Sequence, residues 1–281
     1  MTGREGIQIR VTKQQDLDML SLRARATAFL VAHKCGEGHL SSSLSMIEIW
    51  VSILKYSEKY PAKHILSKGH AALGLYSVYS EFGLIDKKML LDYGKSHSPL
   101  TSHPVRKTID SIELSSGSLG MGLGYGAGIS LANKIENKSE KVFVVLGDGE
   151  CNEGSVWESA MIASTLELTN LVAIVDNNKI QAVAQSADYS KSSNLGQKFS
   201  AFGWEVFDLD GHDVEALLNT FMMETSKPKA IIANTSGKKS FTYEFDSVLW
   251  HYRKPSDIDL SDFIAAHSLE RLTPDLIEFF Q

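Results

Sequence analysis

Two strongly apolar runs of this chain each end in a short polar cluster. Residues 142–146 lead into Gly147-Asp148-Gly149, and residues 171–175 lead, through one aspartate, into Asn177-Asn178. Runs of this kind are typical of strands that are buried on both faces, as in a parallel sheet covered by helices. Because open α/β sheets bind ligands at the carboxyl ends of their strands, we expect both clusters to lie at one ligand-binding edge.

The side chains of these two clusters are hard oxygen ligands. An aspartate carboxylate such as Asp148 and an asparagine amide oxygen such as Asn178 suit Mg²⁺ or Ca²⁺, which usually also takes oxygens from a bound phosphate. Gly147 and Gly149 allow the backbone to approach that phosphate closely. The sequence therefore predicts a diphosphate that is held through a divalent cation.

Apolar strands alternate with helical segments along most of the chain. This alternation predicts an α/β fold, a doubly wound and mostly parallel sheet with helices on both faces. We expect a polar arm over residues 1–14, one domain over 15–255 and a helical tail over 256–281, in which Pro274 suits a helix start. The predicted strands cover residues 64–66, 142–146, 171–175, 204–209 and 230–233, and the predicted helices cover 15–34, 44–54, 71–82, 152–166 and 213–224.

Local signals predict how some of these helices begin. Ser41, Ser42 and Ser43 are candidate N-caps for the helix over 44–54, and Asn152 is a candidate cap for the helix over 152–166. Residues 117–128 contain a glycine at nearly every second position, which is compatible with a strand approached closely by other backbone. The apolar residues that follow favour a glycine-rich helix that packs tightly against a neighbour. Residues 92–115 show no period and are predicted to form a loop region near the active site.

Composition excludes several classes of function. The 281 residues are 43% hydrophobic, which suffices for one large α/β domain, and the net charge of −6 argues against nucleic-acid binding. The two cysteines, Cys35 and Cys151, suit neither a disulfide framework nor a zinc site. No apolar run reaches about 18 residues, and the first residues are polar, so we expect a cytoplasmic protein without a membrane span.

The motif from Gly147-Asp148-Gly149 to Asn178 resembles the thiamine diphosphate motif, which opens with G-D-G and closes with an asparagine. Further landmarks narrow the resemblance to transketolase, and together they cover about residues 15 to 255. They stand in the order and spacing of that family: Gly38-His39, Ser67-Lys68-Gly69-His70, His103-Pro104, Ser116-Gly117-Ser118-Leu119-Gly120, Glu153-Gly154 with Glu158, Phe202-Gly203-Trp204, Asp210-Gly211-His212-Asp213 and Trp250-His251.

The resemblance implies a thiamine-diphosphate-binding fold and a cofactor site at the sheet edge. It implies that thiamine diphosphate is held with Mg²⁺, or with Ca²⁺ or Mn²⁺ in its place. The implied cation ligands are Asp148, Asn178 and the backbone carbonyl of Ile180. The implied contacts to the cofactor come from His70, Gly117, Leu119, Gly147, Gly149 and Glu153.

The resemblance also implies the substrate-facing residues. His39, His103 and His251 would line the substrate channel, where imidazoles can donate to a ketose oxygen or move protons. Glu153 and Glu158 stand where the family uses acids to link two cofactor sites across a subunit interface. The resemblance also implies a catalytic role for Glu158.

A transketolase also needs a second domain, which binds the pyrimidine end of the cofactor and carries an activating glutamate. No second series of apolar strands follows residue 255. The resemblance thus implies the N-terminal subunit of a split transketolase, which transfers a two-carbon ketol unit from a ketose, expected to be a phosphate, to an aldose. A separate C-terminal subunit would complete it as an α2β2 assembly.

The sequence departs from the usual family pattern at four places near the expected substrate channel. They are Leu40 after the Gly38-His39 pair, Ser102, Met121, and the Tyr252-Arg253 pair. Arg253 could recognise an anionic group or form a surface ion pair.

Two other functions compete with this interpretation. One is the α chain of a 2-oxo-acid dehydrogenase, against which the Ser67–His70 segment and Gly38-His39 argue. The other is a non-catalytic scaffold that retained the fold, against which the intact Asp148 and Asn178 argue.

Overall fold

The computed structural model describes residues 14–36, 38–179, 194–236, 253–269 and 273–280. The Ile180 carbonyl and His251, both predicted site groups, lie outside these residues, as do Trp250 and Tyr252. Among the described helices, none is long and apolar enough to cross a membrane.

Five parallel strands form one sheet in the order β1-β2-β3-β5-β4. Each of them overlaps a predicted strand, so the prediction of a parallel α/β sheet is confirmed. Because every strand runs in the same direction, all five carboxyl ends meet at one edge. The strands are β1 (Ala62–Leu66), β2 (Lys141–Gly147), β3 (Leu171–Asn177), β4 (Glu205–Asp210) and β5 (Lys229–Asn234).

Helices cover both faces of this sheet. On one face lie α1 (Gln14–Cys35), α2 (Leu40–Ser45), α3 (Ile47–Ser57), α4 (Ala72–Glu81), α8 (Val214–Met222), α9 (Asp257–Ala266) and α10 (Pro274–Phe280). On the other lie α5 (Met121–Ile135), α6 (Gly154–Thr165) and α7 (Leu195–Ala201).

The central strands supply both cores by alternation. Phe143 and Val145 of β2 face the first helical layer, whereas Val142, Val144 and Leu146 face the second. All seven residues of β2 are buried. This double burial is the reason that the strand is apolar from Val142 to Leu146, as expected for a covered parallel sheet.

The start of the fold differs from the prediction at the three serines. Ser41, Ser42 and Ser43 lie inside α2, which begins right after His39, and so they do not cap a helix. The predicted single helix is two helices, because Met46 takes a non-helical backbone conformation between α2 and α3. No glycine or proline marks this break, so no local signal in the sequence predicts it.

Asn152 is also not a helix cap. It closes a short 3-10 turn, Gly149–Asn152, and Glu153 is the residue at the N-cap of α6. The backbone N–H of Glu153 donates to the Glu150 carbonyl at 3.0 Å, which completes that turn and delays the helix.

The glycine-rich segment forms a helix that packs tightly, as predicted. A Cβ on Gly126 would lie 2.4 Å from Val144 Cγ2 of β2, and a Cβ on Gly122 would lie 2.4 Å from Ser67 Cβ. Gly128, on the outer side of the same helix, has no atom near its Cβ position. The inner glycines therefore let α5 lie directly on the sheet beside the end of β1.

The tail packs against the first helix. The rings of Phe29 and Phe263 stack at 4.2 Å, and Arg23 donates two hydrogen bonds to Asp275 at 2.8 and 3.0 Å. Helix α10 begins at Pro274, as predicted, and Ser256 with Asp259 forms a capping box at the start of α9.

Two glycines of α5 provide a matched test of this packing. We expect Gly126→Ala to lower the free energy of unfolding by about 1–3 kcal/mol, because its methyl group would overlap Val144. Gly128→Ala should leave stability unchanged or raise it by up to about 1 kcal/mol, through the better helix propensity of alanine. Urea unfolding measures both, and equal effects of the two substitutions would contradict the packing described.

Candidate functional site

The two predicted ligand clusters meet at the carboxyl edge of the sheet. The backbone N–H of Asp148 donates to the Asp176 carbonyl at 3.3 Å, and Asp148 Oδ2 accepts from the Lys179 backbone N–H at 3.0 Å. Asp148 Oδ1 accepts from the Gly149 N–H at 2.9 Å. Lys179 adopts a left-handed conformation, with φ of 63°, that turns its N–H toward the aspartate. Asp148 and Asn178 are both buried, so the two predicted oxygen ligands lie together at this edge.

A buried ion pair, which the sequence analysis missed, lies next to Asp148 and Asn178. Lys68 follows β1, Asp176 is in β3, and the two side chains pair with almost no exposure to solvent. Asp176 also accepts hydrogen bonds from Ser45 Oγ, at 2.6 Å, and from Thr235 Oγ1. Lys68 Nζ donates in addition to the Ser42 carbonyl at 3.1 Å. The pair thereby fastens α2 and the segment after β5 to the site.

Glu150 is a second buried carboxylate that the sequence analysis missed. It accepts hydrogen bonds from Ser67 Oγ and from the backbone N–H groups of Gly120, at 2.8 Å, and Gly147, at 3.1 Å. Burial raises the pKa of the Glu150 carboxyl, and these three hydrogen bonds oppose that rise. The carboxylate ties the ends of β1 and β2 to the left-handed Gly120 at the start of α5.

Three predicted imidazoles gather beside the ion pair. The centroid of the His39 ring lies 5.4 Å from that of His70 and 6.4 Å from that of His103. Gly117, with φ of 156°, lies against the His103 ring, and its Cβ position is 3.5 Å from His103 Cδ2. The structure therefore brings together His39, His70, His103 and Gly117.

Burial lowers the pKa of His39, and the nearby charges of His103 and Lys68 lower it further. The pKa of a free histidine is about 6.5. His39 is therefore mostly neutral at pH 7, and a neutral imidazole can donate through one ring nitrogen and accept through the other.

The two predicted interface acids lie at the N-cap and in the body of α6. Glu153 and Glu158 are both exposed, at the start and on the outer face of α6. Glu158 lies at a groove between α5 and α6, so this carboxylate is not buried among its apolar sequence neighbours. Three large apolar side chains of α5 and α6 are about half exposed: Met121, Met161 and Ile162.

The family landmark around His212 forms a separate buried link. His212 Nδ1 lies 2.9 Å from Glu48 Oε2, and His212 Nε2 accepts from the Ser236 N–H at 2.9 Å. Arg25 donates to both oxygens of Glu48 at 2.6 Å. This link connects α1 and α3 with the turn after β4 and with the segment after β5.

The departures from the family pattern have different environments. Leu40 is fully buried at the start of α2, and Met121 is largely exposed at the start of α5. Arg253 donates to Asp259 at 2.8 Å, which agrees with the ion-pair alternative for this residue. The Arg253 side chain is 48% exposed, so the pair lies near the surface.

The described residues fit a diphosphate that is bound through a cation. Within the described ranges, no three His, Cys, Asp or Glu side chains form a group that could hold a metal by themselves. A cation at Asp148 and Asn178 therefore needs further oxygens, such as those of a diphosphate. Among the described residues, the buried Ser116 Oγ has no hydrogen-bond partner. A Cβ placed on Gly69 would lie 2.7 Å from this oxygen. A polar ligand beside Gly69 and Gly117 would satisfy this hydroxyl.

The charge coupling within the imidazole cluster can be measured in the chain alone. We expect a His39 pKa below 6.5 by NMR titration, and His103→Asn should raise it because a nearby positive charge is removed. It should stay below 6.5, since burial is the largest cause of the shift. His97→Asn, at an exposed site, is the control. A His39 pKa that does not respond to His103→Asn would contradict the coupling.

Comparison with known proteins gives one family. Residues 19–241 match the family model of the transketolase thiamine diphosphate binding domain. One subunit of the apulose-4-phosphate transketolase of Actinobacillus succinogenes is 34% identical over 242 residues, which are 82% of this chain and 88% of that protein. Human transketolase is 36% identical over 250 residues, and the match covers 85% of this chain but only 40% of the human protein.

Solved structures show the same fold. The transketolase of Campylobacter jejuni superposes with a TM-score of 0.80 at 24% identity, over 94% of this chain and 46% of that one. The chain therefore spans less than half of the full-length transketolases that it matches. The sequence match and the shared fold together show that this chain belongs to the transketolase family and corresponds to the thiamine diphosphate binding domain of its members.

Proposed function

We propose that this chain is the N-terminal subunit of a two-component transketolase and transfers a two-carbon ketol unit together with a partner chain. The observation that carries this proposal is the placement of Asp148 and Asn178 at adjoining strand ends, beside the cluster of His39, His70 and His103. Two bacterial relatives, each named as one subunit of a transketolase, match this chain over most of their length and so support a divided enzyme.

The cation site would consist of Asp148, Asn178 and the Ile180 carbonyl, with Mg²⁺ as the expected ion and Ca²⁺ or Mn²⁺ as substitutes. His70 would face the diphosphate, next to Gly147 and Gly149. The Gly149 N–H donates to Asp148 Oδ1 in this structure, so it would have to share or change that partner to reach the diphosphate. Gly117 and Leu119 would lie against the rings of the cofactor. Asp148, Asn178 and the Ile180 carbonyl supply fewer oxygens than an octahedral Mg²⁺ takes, which supports a cation shared with a diphosphate.

Thiamine diphosphate, when bound, supplies the carbon nucleophile that takes up the ketol unit. The chain itself would bind and orient the substrate through His39, His103 and His251. The lowered pKa of His39 supports a role in holding or moving a proton at a sugar oxygen, because a neutral imidazole can do either at pH 7. The name of the bacterial relative contains a sugar phosphate, which supports a phosphorylated ketose as the donor.

A partner chain would cover the exposed side of α5 and α6. The groove there is lined by small and apolar residues together with Glu158, and Met161 and Ile162 beside it are half exposed. Exposed apolar surface of this kind is typical of protein interfaces. We propose that a C-terminal subunit with the activating glutamate joins this chain in an α2β2 assembly, in which Glu153 and Glu158 lie at subunit contacts.

Binding of the cofactor tests the proposed site without the partner. Asp148→Asn should weaken Mg²⁺-dependent binding of thiamine diphosphate by more than about 100-fold, because a charged ligand is lost and even partners of metal ligands are worth about 10–100-fold. Isothermal titration calorimetry measures this, and circular dichroism checks the fold.

Asp262→Asn, at an exposed site of α9, is the matched control and should bind as the unmodified chain does. If the unmodified chain, alone and with its partner, binds no thiamine diphosphate in Mg²⁺, the proposal is wrong and a scaffold role is favoured.

A further inference from the structure

The side chain of Ser45, the last residue of α2, contacts the side chain of the predicted cation ligand Asn178. Its Oγ lies 2.6 Å from Asp176 Oδ2, 3.2 Å from the Ser42 carbonyl and 3.3 Å from Asn178 Nδ2. The residue is completely buried. One hydroxyl thus connects the buried ion pair with the side chain that would bind the cation.

The direction of these hydrogen bonds follows from what each group can donate. The Ser42 carbonyl can only accept, and so can the Asp176 carboxylate, which is paired with the Lys68 ammonium. The single hydrogen of the Ser45 hydroxyl is therefore directed to one of these two acceptors. At its third contact the Ser45 oxygen has to accept, and the Asn178 amide has to donate.

This direction distinguishes the two orientations of the Asn178 amide. With Nδ2 toward Ser45, an N–H meets an oxygen lone pair. With the amide reversed, its carbonyl oxygen would face the Ser45 oxygen with no hydrogen between them, and two acceptors in contact repel each other. The arrangement therefore favours the orientation in which the Asn178 Nδ2 faces Ser45 and the Asn178 amide oxygen is turned away from Ser45.

We propose that Ser45 is a positioning residue that selects the cation-binding orientation of the Asn178 amide, with Asp176 setting the direction of its hydroxyl. This inference rests on the proposed function, since it concerns the same cation site. Ser45 belongs to α2, whereas Asn178 follows β3. The two residues are far apart in sequence, so the role of Ser45 follows only from the folded structure.

The test measures the cation directly. Mn²⁺ binding in the presence of thiamine diphosphate is followed by electron paramagnetic resonance. Ser45→Ala should weaken Mn²⁺ binding by about 10-fold, in the range found for groups that orient metal ligands. Ser77→Ala is the matched control, because Ser77 is also buried in a helix but donates to Leu73 O of its own helix at 2.8 Å.

A second background separates orientation from a general structural effect. In an Asn178→Asp chain the ligand has two equivalent oxygens, so there is no wrong orientation to exclude. Ser45→Ala should therefore cost no Mn²⁺ affinity in that background, and a double-mutant cycle gives the difference. Should Ser45→Ala fail to fold by circular dichroism, Ser45→Cys replaces it, since a thiol has similar size but accepts hydrogen bonds weakly.

Four results decide the matter. A 10-fold loss that is confined to the Asn178 background supports the inference. Binding by Ser45→Ala as tight as by Ser77→Ala, or an equal loss in both backgrounds, overturns it while the cation site stands. Failure of the unmodified chain to bind Mn²⁺ overturns the proposed cation site and this inference with it.

Discussion

The buried ion pair between Lys68 and Asp176 is the interaction on which the site depends. Each charge is withdrawn from water at a cost of several kcal/mol, and only the close partner and added hydrogen bonds offset that cost. Removing one partner of such a pair costs about 3–5 kcal/mol, so the fold has to hold both residues in place. Because Asp176 also binds Ser45 and Thr235, the same requirement fixes α2 and the end of β5.

Glu150 is a second buried carboxylate that accepts hydrogen bonds from several segments of the chain. Its carboxylate is held by Ser67, Gly120 and Gly147, which come from the ends of two strands and the start of α5. The two buried carboxylates thus collect donors from segments that are far apart in sequence. As a result, the predicted ligands at the sheet edge and the imidazole cluster are held by hydrogen bonds within the protein, which is the condition for an organised binding site.

The sequence predicted the strands and the ligand motif, because both leave local signals. Apolar runs mark the buried strands, and Asp148 and Asn178 follow two of them directly. Asp176 carries no such signal, since an aspartate at the end of an apolar run looks the same whether it faces water or a buried lysine. Ser45 and Glu150 were missed for the same reason: their partners are brought to them by the fold. The break at Met46 was missed because no glycine or proline marks it.

Ketol transfer is the most direct test of a divided transketolase. The chain, a C-terminal transketolase subunit and their mixture are assayed with thiamine diphosphate, Mg²⁺ and a panel of phosphorylated ketose donors and aldose acceptors. The account predicts transfer only in the mixture, because the activating glutamate is expected on the partner. Turnover by this chain alone would contradict it.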